Sequence, residues 1–444
     1  MSVNILLRGR IAHTPGDPFR SSRAFVTFDD GGIWIRDGII EACGDYADVR
    51  AQAGEAVVVD RRDGFLLPGF VDTHVHFPQV HVIGRLGREL LDWLDHVALP
   101  EEARMAEEPH ARATAVRFVD ALLAHGTTSA LAFGAHFTPA TAGLFDEALR
   151  RGLRLTSGLV MADRGLRPDL HQTPAEAYDS CRHLIAAYHG RGRVRYAVTP
   201  RFGLSTSEQM FEVCQTLIRE HPDVHVQTHL NESQAEIEAC ASLFPWADDY
   251  LGVYERYGLL GPRSVFAHNV HPSDRELQRL AAASSTVAHC PCSNAVLGSG
   301  IFPLKRHLAA GVHVALGTDV GAGIGFSVFK EALQAHLMQR VSSDGVLLGP
   351  AHLLYLATRA GAIALGLGDQ LGDLRAGRAA DLVYLKPPAG SALEAAIARA
   401  ESFDDALSAL FTLGEASAIG EVRIGGDVAF ARAGGTAAQG PTGA

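Results

Sequence analysis

Leu67-Pro68-Gly69-Phe70-Val71-Asp72-Thr73-His74-Val75-His76 is the stretch that decides the reading of this chain. An apolar run leads into two histidines separated by one residue. On a strand, side chains alternate faces, so His74 and His76 point the same way. Two imidazoles one strand-step apart can hold a single divalent metal, with nitrogens at ~2.0–2.1 Å for zinc. Alone, the pair reads more readily as two polar residues closing a strand. It gains meaning from the ligand-type residues that end later apolar runs.

Outward from that motif, the chain from residue 66 onward alternates short apolar β-type runs with longer helical ones. Strands are predicted to end at His76, Phe133 (127–133), Val160 (153–160), Pro200 (195–200), His229 (224–229), His268 (264–268), Pro291 (286–291) and Asp319 (314–319). Amphipathic segments at 174–189, 205–220 and 273–283 lie between them. Eight strand–helix units over roughly 300 residues predict an α/β fold, a (β/α)8 TIM barrel. Chemistry in that fold collects at the C-terminal strand ends, where these histidines and the aspartate fall. A doubly wound open sheet is the alternative, but it would not gather ligands from strands one, five, six and eight around one point.

The flanks read differently. Residues 1–65 look like short strands and turns, with Ile33–Ile35, then Asp37-Gly38, then Ile39-Ile40. Residues 373–385 and 421–430 are again β-like, with Gly377 and Gly425-Gly426 as turn signals. The expected organisation is a small composite β-sandwich from residues 1–66 and 373–432, a catalytic barrel over 67–372, and a disordered tail at 433–444, rich in Gly, Ala and Thr.

At 444 residues the chain can bury a large core, and 47% hydrophobic with 20% charged residues describes an ordinary globular protein. A net charge of −11 argues against nucleic acid or an anionic membrane surface as the main partner. The six cysteines (43, 181, 214, 240, 290 and 292) are scattered, which suits reduced thiols in a cytosol. Cys290-Pro291-Cys292 lacks the spacing of a zinc ribbon, and no second pair accompanies it. Arg8 and Arg10 interrupt the first residues, so no signal peptide is expected, and no apolar run approaches the ~20 residues of a membrane span. The expectation is a cytoplasmic protein without membrane partners.

The strand ends carry the chemistry. Val226-Gln227-Thr228-His229-Leu230-Asn231-Glu232 ends a strand with a histidine and places a glutamate three residues on. Phe266-Ala267-His268 and Leu316-Gly317-Thr318-Asp319 end two later strands. Three histidines and a carboxylate leave a zinc position open for water, the catalytic arrangement. Zinc lowers that water's pKa from 15.7 toward ~7, and a nearby carboxylate can shuttle protons. Glu232 is placed for it. Taken singly, each residue reads as a buried, hydrogen-bonded polar group, and Asp319 as a helix N-cap before Gly321. Their joint fall at ordered strand ends favours the metal reading.

With these residues the chain resembles the amidohydrolase superfamily from about residue 3 through about 430. Asp37-Gly38-Ile39-Ile40 and Gly377-Arg378-Ala379-Ala380-Asp381-Leu382-Val383 are similar to that family's flanking sheet. The resemblance implies His74, His76, His229 and Asp319 as ligands of one Zn2+ per subunit, with His268 hydrogen-bonding the activated water. Many members bridge two metals with a lysine on strand four. Here that strand ends Val198-Thr199-Pro200-Arg201 and no lysine precedes Lys305, so a mononuclear site is expected. Within the superfamily the match narrows to the guanine deaminase branch, carried by His76-Phe77-Pro78-Gln79, Leu90-Leu91-Asp92-Trp93-Leu94, Leu99-Pro100-Glu101, Thr199-Pro200-Arg201-Phe202, His289-Cys290-Pro291-Cys292-Ser293-Asn294 and Leu297-Gly298-Ser299-Gly300. That likeness implies a purine site made of His76, Gln79, Arg201, Phe202, His229, Glu232 and Asp319, with Trp93 either an aromatic wall or core. It implies Glu232, His268 and Asp319 as the catalytic groups, hydrolysis of guanine to xanthine and ammonia, and a homodimer. An arginine fork and a carboxamide suit the acceptor-rich O6/N7 edge of guanine. The alternatives are a sister zinc deaminase of a modified purine, adenosine derivative, pterin or triazine, and a non-catalytic scaffold on the same fold.

Overall fold

The computed structural model describes residues 4–432, so the expected tail at 433–444 lies outside the described residues. Sixteen strands fall into two sheets. Seven form a sheet from both ends of the chain: β1 (Asn4–His13), β2 (Val26–Arg36), β3 (Ile39–Asp45), β4 (Val57–Pro68), β14 (Leu382–Leu385), β15 (Ile419–Ile424) and β16 (Asp427–Ala431), in the order β16-β15-β14-β4-β1-β2-β3. The expected composite domain is therefore one continuously hydrogen-bonded sheet. It folds over on itself: the Ile40 N–H donates to the Arg378 carbonyl and the Gly377 N–H to the Ile40 carbonyl, bringing β3 against the approach to β14. Leu7, Ile11, Ile33, Ile35 and Ile40 pack across the fold on Leu374, Ala380 and Leu382.

The remaining strands build the barrel: β5 (Phe70–His76), β6 (Thr127–Phe133), β7 (Arg154–Gly158), β8 (Val160–Met161), β9 (Val194–Pro200), β10 (His225–Leu230), β11 (Ser264–His268), β12 (Thr286–His289) and β13 (His313–Leu316). The path β5-β6-β7-β9-β10-β11-β12-β13 is parallel throughout, and the short β8 pairs with β9. The run predicted over 153–160 is thus split at Leu159. The strands predicted to reach Pro291 and Asp319 stop at His289 and Leu316, because Pro291 opens a helix (Pro291–Val296), and past Leu316 the Gly317 N–H donates to the His289 carbonyl while Thr318 and Asp319 bond to β5. Between the strands, helices start on side-chain caps that the sequence supplies: Thr173, Ser207 and Ser273 each accept a backbone N–H of the first turn. None of the helices among the described residues is long and apolar enough to cross a membrane.

Closure of the barrel happens at its functional end. The Asp319 N–H donates to the His74 carbonyl and the His76 N–H to the Val320 carbonyl, each at 2.8 Å. The buried Asp72 carboxylate accepts from the Thr318 N–H (3.0 Å), the Thr318 hydroxyl (2.5 Å) and the His74 N–H (3.2 Å). Thr73 adds a hydroxyl bond to the Leu316 carbonyl at 2.8 Å. Gly317 is required by this seam, since a Cβ there would lie 2.7 Å from the His74 Cβ. At the opposite end the chain passes from β4 into β5 through Gly69, and Arg154 of β7 pairs with Asp381 at 2.5 Å, tying barrel to sheet.

Asp72→Ala should therefore lower the free energy of unfolding by about 2–4 kcal/mol, from buried donors left without an acceptor. Arg88→Ala, which removes an exposed pair with Asp92, should change it by less than about 0.5 kcal/mol. Denaturant unfolding of both variants checks the contrast.

Candidate active site

At the C-terminal mouth of the barrel, His76, His229, Glu232, His268 and Asp319 line one cleft, and His74 lies beside them, 3.2 Å from His76 and Asp319. His74 and His76 share a face of β5, His229 sits near the end of β10, and His268 ends β11. The chain leaves β10, β11 and β13 through residues with left-handed backbone: Asn231 (φ 49°), His268 (φ 71°) and Asp319 (φ 48°). Such non-glycine positions cost ~1–3 kcal/mol and persist where the surroundings over-determine them. At Asn231 the reason is visible. Its amide donates to Asn269 (3.1 Å) and Glu276 (3.0 Å), which turns the chain and delivers Glu232 to the cleft.

Four donor atoms converge. His74 Nε2 lies 3.2 Å from His76 Nε2, and His76 Nε2 lies 3.3 Å from His229 Nε2. Asp319 Oδ1 is 3.2 Å from both His74 Nε2 and His76 Nε2. The corners of a tetrahedron around an ion at ~2.0–2.1 Å stand ~3.3–3.4 Å apart. The four distances match four of its six edges. His229 donates its Nδ1–H to the Arg201 carbonyl at 2.6 Å, which leaves Nε2 a bare lone pair aimed at the cluster. Burial pushes the His74 pKa down to about 4, against the pull of Asp319, and holds that of His229 well below its usual range. Both rings are thus neutral, the form that binds metal. Burial raises the Asp319 carboxyl, but its bonds to His74 and His76 prevail and keep it ionised. This set fits a divalent cation, and the nitrogen-rich donors favour Zn2+.

Above the cluster stand Glu232 and His268. His268 donates Nδ1–H to Asn294 Oδ1 (3.0 Å), while its Nε2 is buried without a hydrogen-bond partner. That Nε2 lies 3.5 Å from Glu232 Oε2 and 3.8 Å from Asp319 Oδ2. Burial opposes charge on the ring, yet the two carboxylates outweigh it and raise its pKa. Glu232 accepts from the Ser299 hydroxyl at 3.2 Å, and burial lifts its carboxyl to about 7. A group poised there can both give and take a proton at neutral pH.

Gln79, Arg201 and Phe202 line the same cleft, with Leu90, Trp93, Leu94, Leu297 and Ala322 as its apolar walls. Trp93 is a wall. Asp92, one residue earlier, faces out to Arg88. The sequence reading missed Glu102, Asn294 and Ser299. Asn294 and Ser299 lie inside motifs already quoted, but nothing in the pattern told which position turns inward. Glu101 drew attention, yet the helix Leu99–Ala103 points it at His81 and Arg104 and its neighbour Glu102 at Gln79 and Arg201. The Cys290-Pro291-Cys292 pair joins no group of metal-binding residues among the described residues.

Comparison with known proteins follows the same line. Residues 65–429 match the amidohydrolase family. A curated relative from Deinococcus radiodurans, named "Probable guanine deaminase", is 54% identical over 96% of this chain and 99% of its own length. The solved structure of E. coli guanine deaminase superposes with a TM-score of 0.92 at 34% identity, over 97% of this chain and 99% of that one. Guanine deaminase from C. acetobutylicum, solved with bound guanine in its active site, superposes at 0.89 with 26% identity, over 96% of this chain and 100% of that one. The chain belongs to the amidohydrolase family.

Proposed function

We propose that this protein hydrolyses guanine to xanthine and ammonia, with one Zn2+ per subunit held by His74, His76, His229 and Asp319. The observation that carries the reading is the clustering of His74, His76 and Asp319 at 3.2 Å with His229 3.3 Å from His76, in a cleft also lined by Glu232, Gln79 and Arg201, in a chain 54% identical to a relative named for that activity.

When bound, the metal supplies a water that ionises near neutral pH. The protein's own groups do the rest. Arg201 and Gln79 hold the polar edge of the purine by donors, Phe202 closes the pocket beside it, and His76, His229, Glu232 and Asp319 surround the reacting carbon. Glu232, when protonated, delivers a proton to the ring nitrogen beside C2 as the water oxygen bonds to C2. Asp319, beside His268 held by Asn294, receives one water proton and passes it to the departing amino group, and the second water proton returns to Glu232 as the oxygen becomes a carbonyl. The C2–N bond breaks, ammonia leaves, and the oxygen remains on C2 of xanthine. The six cysteines of the chain are free thiols in this structure, which supports a reducing, cytoplasmic setting. The homodimer rests on the family resemblance, and light scattering of the purified protein decides it.

Three measurements test the proposal. Metal analysis should find about one tightly bound ion per chain, and a chelator should abolish turnover while leaving the fold intact; two tight ions would refute the mononuclear site. Glu232→Gln should keep its metal and lose kcat by about 10²–10⁴-fold, whereas loss of metal would reassign Glu232 as a ligand. In a panel of purines, pterins and triazines scored by ammonia release, guanine should lead and adenine should react poorly. Arg201→Ala should lower kcat/KM for guanine by roughly 10- to 150-fold with metal content unchanged.

A further inference from the structure

Behind the two polar residues of the purine pocket stands a carboxylate that does not itself face the cleft. Glu102 Oε1 accepts from Gln79 Nε2 at 2.7 Å and from the Arg201 guanidinium at 3.0 Å. Its other oxygen accepts from His136 Nε2 at 3.1 Å. Glu102 and Arg201 are each 3% exposed and His136 is 1% exposed. The far end of the Gln79 amide accepts the Gly321 N–H at 3.0 Å. With both ends tied, Gln79 has one orientation, and what remains for a ligand is one N–H and one lone pair. Arg201 is held with its guanidinium 5.5 Å from the centre of the Phe202 ring.

The same contacts set the charge of the wall. Burial alone would protonate Glu102, but Arg201 and His136 hold its pKa well below the usual carboxylate range. Glu102 therefore stays ionised and cancels the arginine it touches. An anionic ligand meets no uncompensated positive charge on the Arg201 side. A neutral ligand still finds well-aimed donors, because a hydrogen bond from a paired guanidinium keeps its direction.

We propose that Glu102 is a positioning residue that determines specificity: its joint grip on Gln79 and Arg201 aims their donors and neutralises Arg201, so the pocket accepts a neutral purine lactam and rejects an anionic one. This rests on the purine reading above.

The test compares binding of two 8-oxopurines by calorimetry to the metal-loaded protein at neutral pH. Urate is an anion there, and 8-oxoguanine is its neutral counterpart. Wild type should bind 8-oxoguanine at least about 10-fold more tightly than urate. Glu102→Gln should bind 8-oxoguanine more weakly and urate more tightly, shifting the ratio toward urate by about 10-fold or more, the scale of one charged hydrogen bond. KM for guanine should rise more than kcat falls. Glu102→Asp, which keeps the charge, should restore the wild-type ratio even where overall affinity drops. A ratio that stays constant in Glu102→Gln while both affinities fall together would reduce Glu102 to a structural ion pair and overturn the proposal. Equal binding of the two ligands by wild type would overturn it as well, without recourse to any variant. A wild type that binds 8-oxoguanine selectively but releases no ammonia from guanine would instead sink the proposed activity and leave the role of Glu102 standing.

Discussion

Everything at the mouth of this barrel depends on the seam where the first strand meets the last. Asp72, buried among backbone and hydroxyl donors, accepts from Thr318 and from the backbone of His74, so one carboxylate holds two chain segments 246 residues apart. The two backbone bonds that follow, Asp319 to His74 and His76 to Val320, bring three of the four clustered donors into register. A barrel left open at this edge would keep His74 and His76 paired on β5, and Asp319 would have no fixed place beside them. Closure of the sheet and assembly of the donor set are one event.

The charges of the site follow from the burial that closure creates. His74, His229, Glu232 and Asp319 are all buried, so each group takes the protonation state its neighbours allow rather than its ordinary one. Neutral imidazoles and an ionised Asp319 suit a cation, and a carboxyl at Glu232 lifted to about 7 suits proton transfer. On the far wall the same low dielectric makes the Glu102–Arg201 contact effective, because little solvent screens it. Two kinds of carboxylate thus serve one pocket. Asp319 and Glu232 face the cleft beside the clustered imidazoles, while Glu102 stands behind Gln79 and Arg201 and accepts a hydrogen bond from each.

The barrel was legible from period and punctuation: eight apolar runs separated by capped helices allow few other arrangements. Strand ends were read least well where backbone geometry overrides pattern. Asp319 looked like the last residue of a strand and is instead a left-handed residue three positions past it, held by hydrogen bonds to β5. The terminal segments do form the expected composite β domain, as one sheet folded on itself, but the bonds of Gly377 and Arg378 back to Ile40 that fold it had no local signal.

What the sequence determined by itself was the inventory and its order: a His-x-His strand, later strands ending in histidine or followed by aspartate, a glutamate three residues after one of them, and Gln79 and Arg201 just past two strand ends. Those are local facts, since spacing along a strand fixes which side chains share a face. Tertiary structure alone decided what lies behind these groups. Whether Glu101 or Glu102 turns inward depends on how a single helical turn is seated against the segments past β5 and β9 that carry Gln79 and Arg201. Asn294 and Ser299 matter only because the helix after β12, and the turn that follows it, reach His268 at the end of β11 and Glu232 past β10. Such partners are separated by tens to hundreds of residues, and a chain records no distance until it closes on itself.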